Sequence, residues 1–211
     1  MNLQYKYADI KKEVILIYAN YKYITESIKR DTNNLTNQND MDYINLMMGI
    51  CVNDTYQDWK MDKPEFIGNN EWWNEQTDTN KWFILCIDVT NNNLIGYMYG
   101  KKDNNNYLKF KQLESDYYNE ATQIEIKNEC RRNGYCTKML DFLFEILIIS
   151  NEKYMLITSG GGIASFKCYY KYSNLYNLIM KNHLLDDTSK DLLTDDYVSK
   201  NEVHMLFNLK K

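Results

Sequence analysis

Between Lys138 and Ile149 the only charged residues are Lys138, Asp141 and Glu145, at steps of three and four that place them on one narrow stripe of a helix. Every other face of that helix is apolar. A helix of this kind has to be covered by a sheet on one side and by further structure on the other, so the chain around it must supply strands.

It does. Trp82 to Val89 is a strand-like run, Thr90 to Asn93 a turn, and Leu94 to Gly100 a second run, which together read as a β-hairpin that Tyr107 to Leu113 extends or follows. Thr122 to Lys127 alternates Ile124 and Ile126 with Glu125 and Lys127, as a short strand does. Tyr154 to Thr158 is a further buried strand, and Ser159-Gly160-Gly161-Gly162 reads as a flexible turn. A Tyr-rich helix from Ala164 to Tyr172 and a closing strand from Glu202 to Leu209 complete this half. Residues 1–80 read as mainly helical. From Glu13 to Arg30, Val14, Ile17, Tyr18, Tyr21, Ile24 and Ile28 recur at helical steps, and a second helical segment runs from Met41 to Trp59, with Pro64 and Gly68 behind it. The order predicts an α/β protein built on a mixed sheet with helices on both faces. No internal repeat or domain boundary stands out, so residues 1–211 are expected to form one domain.

The totals exclude several classes. A formal net charge of −4 gives no support for the basic face a nucleic-acid binder needs. The 5 Cys and 2 His carry no C-x-x-C or H-x-x-x-H pair, so neither a metal site nor a disulfide framework is expected, and free thiols in a reducing compartment are. No leader is recognisable, and the apolar runs fall far short of the roughly 20 residues that span a bilayer. The expectation is a soluble, cytoplasmic protein. The Asn runs reflect codon composition before function.

One segment points to chemistry: Ile124-Glu-Ile-Lys-Asn-Glu-Cys-Arg-Arg-Asn-Gly-Tyr-Cys-Thr-Lys-Met-Leu140. A strand enters a turn that holds two Arg and one Gly, and the turn opens into the apolar helix. Unpaired N–H groups and the helix dipole at such a terminus favour an anion. Gly134 permits close backbone approach, and Arg131, Arg132 and Lys138 add positive charge. An ordinary strand–helix junction with solvated arginines explains the same residues. The G-x-x-x-x-G-K-[S/T] spacing of a Walker loop is missing, as is a dinucleotide fingerprint.

Arg131-x-x-Gly134-x-Cys136 resembles the acetyl-CoA signature [Q/R]-x-x-G-x-[G/A] of the GCN5-related N-acetyltransferase (GNAT) family, in the place that family gives it, between the fourth strand and the third helix. Cys136 stands where Gly or Ala is usual. The resemblance implies a mostly antiparallel sheet splayed between its fourth and fifth strands. It further implies that acetyl-CoA binds with its pyrophosphate on Arg131, Arg132, Asn133, Gly134, Tyr135, Cys136 and Thr137, and its pantetheine arm along the backbone of Ile124 and Ile126. Residues 81–211 would form the sheet and cofactor core, and the first 80 would supply the family's first strand and two helices. A catalytic base eleven positions before the signature falls on Glu120, with Glu125 the runner-up. The family's thiolate-protonating Tyr falls on Tyr170 if Asn174-Leu175 replaces the family's Gly-Phe pair, or on Tyr169 if Ser165 is its small residue. With 19 Tyr in the chain, either spacing arises readily by chance.

The implied activity is acetyl transfer to a primary amine (a protein N-terminus, a lysine or a small molecule) by direct attack in a ternary complex. A catalytically inactive acyl-CoA-binding or protein-interaction module on the same fold is the alternative, and a nucleotide site at Gly160–Gly162 is a third reading. Tyr56, Trp59, Trp72 and Trp73 lie among Asp58, Asp62, Glu65, Glu71 and Glu75. These suit a cationic acceptor, but a packed core with an acidic rim explains the same residues and is the preferred reading.

Overall fold

The computed structural model describes residues 5–9, 14–20, 80–88, 90–91, 93–104, 117–160, 162–181 and 194–210. The chain divides into two compact units, one of residues 1–99 and 124–135, the other of residues 100–123 and 136–211.

In the first unit the strand order is β1 (Tyr5–Asp9), β2 (Val14–Asn20), β3 (Lys81–Asp88), β4 (Asn93–Asn104, as far as Tyr99) and the end of β5 (Tyr117–Ile126). β1 and β2 run antiparallel from Tyr5↔Tyr18 to Asp9↔Val14, and β2 and β3 antiparallel from Val14↔Asp88 to Asn20↔Trp82. The helix expected from Glu13 is therefore corrected: its first residues are strand. Val14, Ile17 and Tyr18 fit a helical stripe, but they also belong to the unbroken run Val-Ile-Leu-Ile-Tyr. That run is buried on both faces, as a central strand is, with Leu16, Ile17 and Ala19 at most 1% exposed. The rest of the expected N-terminal helical region, the Tyr107–Leu113 run and the aromatic–acidic segment from Asp54 to Asp78 lie outside the described residues.

The turn between β3 and β4 uses local side-chain bonds. The Thr90 N–H donates to the Asp88 carboxylate at 2.9 Å, and the Asn93 N–H to Asn91 Oδ1 at 3.0 Å. Beyond it, β4 and β5 come unusually close. A methyl group on Gly96 would meet the Glu125 carbonyl oxygen at 2.5 Å and Ile126 Cδ1 at 2.6 Å, and the Lys127 N–H donates to the Ile95 carbonyl at 2.9 Å. Gly96→Ala is expected to destabilise by about 1–3 kcal/mol, because the obstacle is backbone and cannot rotate away. Denaturant unfolding with an unchanged m-value checks this.

In the second unit β5 pairs in parallel with β6 (Tyr154–Gly160). Antiparallel ladders then join β6 to β8 (Glu202–Asn208) and β8 to β7 (Asn177–Lys181), giving the order β5-β6-β8-β7. The sheet is mixed and mostly antiparallel, as expected. The parallel ladder is short. It runs from Asn119↔Met155 to Ala121↔Ile157 and stops, although β5 continues to Ile126 and β6 continues to Gly160 in register with β8.

The apolar helix is α1 (Tyr135–Ile149), with Met139, Leu140, Phe142, Leu143, Phe144, Ile146 and Leu147 buried. It ends in a Schellman turn. Asn151 takes the left-handed conformation at φ 56°, its N–H bonds the Ile148 carbonyl, and the Glu152 N–H bonds the Leu147 carbonyl. Phe144 meets Phe207 edge-on, with ring centroids 5.7 Å apart, so α1 covers the sheet face that carries Met155, Ile157 and Phe207. α2 (Ile163–Tyr170) runs into a 3₁₀ turn at Lys171–Asn174, and α3 (Asp195–Lys200) is capped by Thr194 Oγ1, which accepts from the Tyr197 N–H. The expected flexible turn at Ser159–Gly162 is corrected in part. Ser159 and Gly160 are strand, paired with Val203 and Glu202, and Gly162 is the residue that starts α2.

Candidate functional site

The sequence-predicted turn lies in the first unit. A 3₁₀ turn at Asn128–Cys130 leads from β5 to Arg131, and two residues then take positive φ: Arg132 at 66° and Gly134 at 79°. Gly adopts this backbone freely, whereas Arg pays a steric cost of about 1–2 kcal/mol. A long charged side chain held there marks a turn fixed by more than local preference. Arg131 Nε donates to the Ile126 carbonyl at 3.0 Å, with its guanidinium 3.9 Å from the Glu125 carboxylate. That ion pair is 58% and 38% exposed and contributes little. The Asn133 amide closes the turn onto the Cys130 carbonyl at 3.2 Å. Arg131, Arg132, Asn133 and Gly134 are exposed, Tyr135, Cys136 and Thr137 half-buried, and α1 has no acidic residue in its first turn. Ile124 and Ile126 are half-buried on the strand that feeds this turn. The exposed arginines and the positive-φ backbone of the turn itself suit an anion.

Glu120 stands in the second unit, and its surroundings were not legible in the sequence. It lines a cavity of about 650 Å³ together with Lys101, Asp103, Thr158, Glu202 and His204. The register explains the gathering. Glu120 pairs with Leu156 and Leu156 with Leu206, Thr158 with His204, and Gly160 with Glu202. Laddered partners point to the same side of a sheet, so these residues share the face opposite to α1. Tyr118, Tyr154, Leu156 and Leu206 pack together as the apolar floor. Burial raises the pKa of Glu120; Lys101 pulls the other way, and Asp103 and Glu202 push with burial. Thr158 Oγ1 lies 2.9 Å from His204 Nδ1, which fixes the orientation of a ring that is 5% exposed. Sequence reading missed Lys101, Asp103, Thr158, Glu202 and His204. The one available signal was a His between the apolar Val203 and Met205 of the closing strand.

None of the other expected catalytic residues is among the described residues that line this cavity. Glu125 faces Arg131. Tyr169 is buried in α2, and Tyr170 stacks on Phe166 with centroids 5.2 Å apart; neither is among the described residues that line the cavity. A third tyrosine has a clear structural task. The Tyr172 hydroxyl donates to the Asp141 carboxylate at 2.5 Å and lies 3.1 Å from the Thr137 carbonyl, binding the 3₁₀ turn to the first turns of α1. Burial raises its pKa first, and Asp141 adds to the rise. Cys136, the departure from the signature, has its sulfur 2.9 Å from that of Cys168 on α2.

No family model and no curated protein matches the sequence. Among solved structures the chain is similar to an acetyltransferase of the GNAT family from Staphylococcus aureus Mu50, at TM-score 0.43 and 16% identity over 93% of this chain and 99% of that one. It is also similar to arylalkylamine N-acetyltransferase 2 from Aedes aegypti, at TM-score 0.44 and 14% identity over 63% and 74%. A third is a chain of the NatC complex bound to Gag peptide and CoA, at TM-score 0.41 and 12% identity over 61% and 71%. Among the described residues no helix is long and apolar enough to cross a membrane, and no group of three His, Cys, Asp or Glu could hold a metal ion.

Proposed function

We propose that the chain is an acetyl-CoA-dependent N-acetyltransferase acting on a primary amine by direct attack. The observation that carries the reading is Glu120, a carboxylate of raised pKa in a polar cavity, on the same strand that leads into the positive-φ turn at Arg131–Gly134. Acetyl-CoA, when bound, supplies an acetyl thioester.

The backbone N–H groups from Arg131 to Thr137, with Arg131 and Arg132, would hold its pyrophosphate. Ile124 and Ile126 would present backbone to its pantetheine arm. Glu120 accepts the proton of the attacking amine, directly or through water; its raised pKa brings it nearer to the pH at which an amine must be deprotonated. Glu202 favours entry of an ammonium group, Asp103 being paired with Lys101 at 2.7 Å, and His204, oriented by Thr158, is a second proton acceptor at the same cavity. Tyr170, or Tyr169, is the assigned proton donor to the departing sulfur. A protein N-terminus, a lysine and a small-molecule amine are all acceptors of the right chemistry.

The alternative reading is an inactive acyl-CoA-binding or interaction module on the same fold; among the described residues neither Tyr169 nor Tyr170 lines the cavity that Glu120 occupies. Two measurements separate the readings. Thermal unfolding with acetyl-CoA at about a hundred times its dissociation constant should show about 2.7 kcal/mol of added stability, and ATP should give none. Free-thiol release is then followed with a panel of amines. Stabilisation with thiol release supports the enzyme, and stabilisation without release for any amine supports the module. No stabilisation by acetyl-CoA overturns both.

A further inference from the structure

The sequence spaces its five cysteines without any paired pattern, yet the fold brings two of them together. Cys136 lies in the first turn of α1 and Cys168 in the last turn of α2, and their sulfurs are 2.9 Å apart. Both are free thiols and both are half-buried. A disulfide needs its sulfurs only about 0.9 Å closer than this, at about 2.05 Å. We propose that Cys136 and Cys168 form a dithiol that closes to an intramolecular disulfide when the chain meets a low-molecular-weight disulfide, tying the first turn of α1 to α2.

The neighbours of the two sulfurs give them different parts. The Cys136 thiol, then the Thr137 hydroxyl 3.8 Å away, then the Lys171 ammonium favour the Cys168 thiolate against burial and Asp141, and bring its pKa down to about 7. The hydrogen bond to Cys168 and burial push Cys136 the other way. With the Thr137 hydroxyl 3.8 Å from its sulfur and the Lys171 ammonium favouring its charged form, Cys168 is the attacking thiolate. It attacks one sulfur of the small disulfide RSSR. A Cys168–S–S–R bond forms, the RS–SR bond breaks, and the first RS⁻ leaves and takes up the proton Cys168 had lost. Cys136, deprotonated as it reacts, then attacks Cys168 Sγ and expels the second RS⁻, which takes the Cys136 proton. Two protein thiols are oxidised, and one RSSR is reduced to two RSH.

The other described cysteines are poorer nucleophiles. Burial pushes Cys86 up to about 12, and burial also raises Cys130. The inference stands apart from the acetyltransferase reading, because it needs only the contact between α1 and α2.

The test treats the full-length chain with oxidised glutathione at neutral pH, then denatures it, counts maleimide-reactive thiols and maps disulfide-linked peptides. The expected result is the loss of two thiols, no retained glutathione, and one linked pair of peptides containing Cys136 and Cys168. Cys136→Ser should stop at a glutathione adduct on Cys168, and Cys168→Ser should lose the rapid reaction. Unchanged thiols in the wild type, a lasting glutathione adduct in the wild type, or a bond to any other cysteine would each overturn the proposal. Because the wild-type map decides alone, a serine variant that fails to fold does not weaken the test.

Discussion

Glu120→Gln is expected to lower kcat about 10²–10⁴-fold, the usual contribution of a positioned general base, while acetyl-CoA stabilises the variant as it does the wild type. The pKa of Glu120 gives a second readout. Burial, reinforced by Asp103 and Glu202 and opposed by Lys101, raises it in the folded chain. A carboxyl whose folded pKa lies above its unfolded value adds stability while protonated, and that stability is lost as pH rises through the folded pKa. At neutral pH the ionised group is held at a cost, so removing its charge should leave the fold no less stable. The rate has the opposite sign, since catalysis needs the ionised form. kcat/KM should rise with pH through a value above the ordinary carboxylate range, and Glu120→Gln should lose that limb. A variant that turns over at the wild-type rate would exclude Glu120 as the base and move the assignment to His204, testable by His204→Gln.

Residues whose chemistry is written in local order were legible. The stripe of Lys138, Asp141 and Glu145 located α1 to within three residues at its start, because 3.6-residue periodicity is local. The turn at Arg131–Gly134 was itself legible for the same reason, but Gly134 was expected to permit close backbone approach, and its φ of 79° is a further feature of the position that the sequence reading did not name. β2 was misread because Val14-Ile15-Leu16-Ile17-Tyr18 has no single period. A strand buried on both faces shows a continuous apolar run, from which a helical stripe can always be picked out.

The cavity was illegible for a different reason. Glu120, Thr158, Glu202 and His204 lie on three strands, and only the registers Glu120↔Leu156, Thr158↔His204 and Gly160↔Glu202 put them on one face. Register depends on long-range pairing, and a slip of one residue would send each side chain to the other side. The Cys136–Cys168 contact is hidden in the same way, since it depends on how α2 returns to α1 after β6.

Gly134→Asp should abolish stabilisation by acetyl-CoA, and Gly134→Asn provides the comparison that isolates the cause. Both replacements place a β-carbon at φ 79°, and both side chains tolerate the left-handed region better than other non-glycine residues, so the steric cost is shared. They differ in one negative charge, set beside exposed Arg131 and Arg132 and ahead of a helix whose first turn carries no acid. A carboxylate there takes the place of an anionic ligand and repels its phosphates. The dissociation constant for acetyl-CoA is expected to rise at least tenfold more in the Asp variant than in the Asn variant, a difference of about 1.4 kcal/mol. The gap should narrow as added salt screens the exposed charges. Calorimetric titration at two ionic strengths reads both effects. Equal weakening in the two variants would mean that Gly134 serves the backbone alone, and no weakening in either would remove the pyrophosphate from this turn.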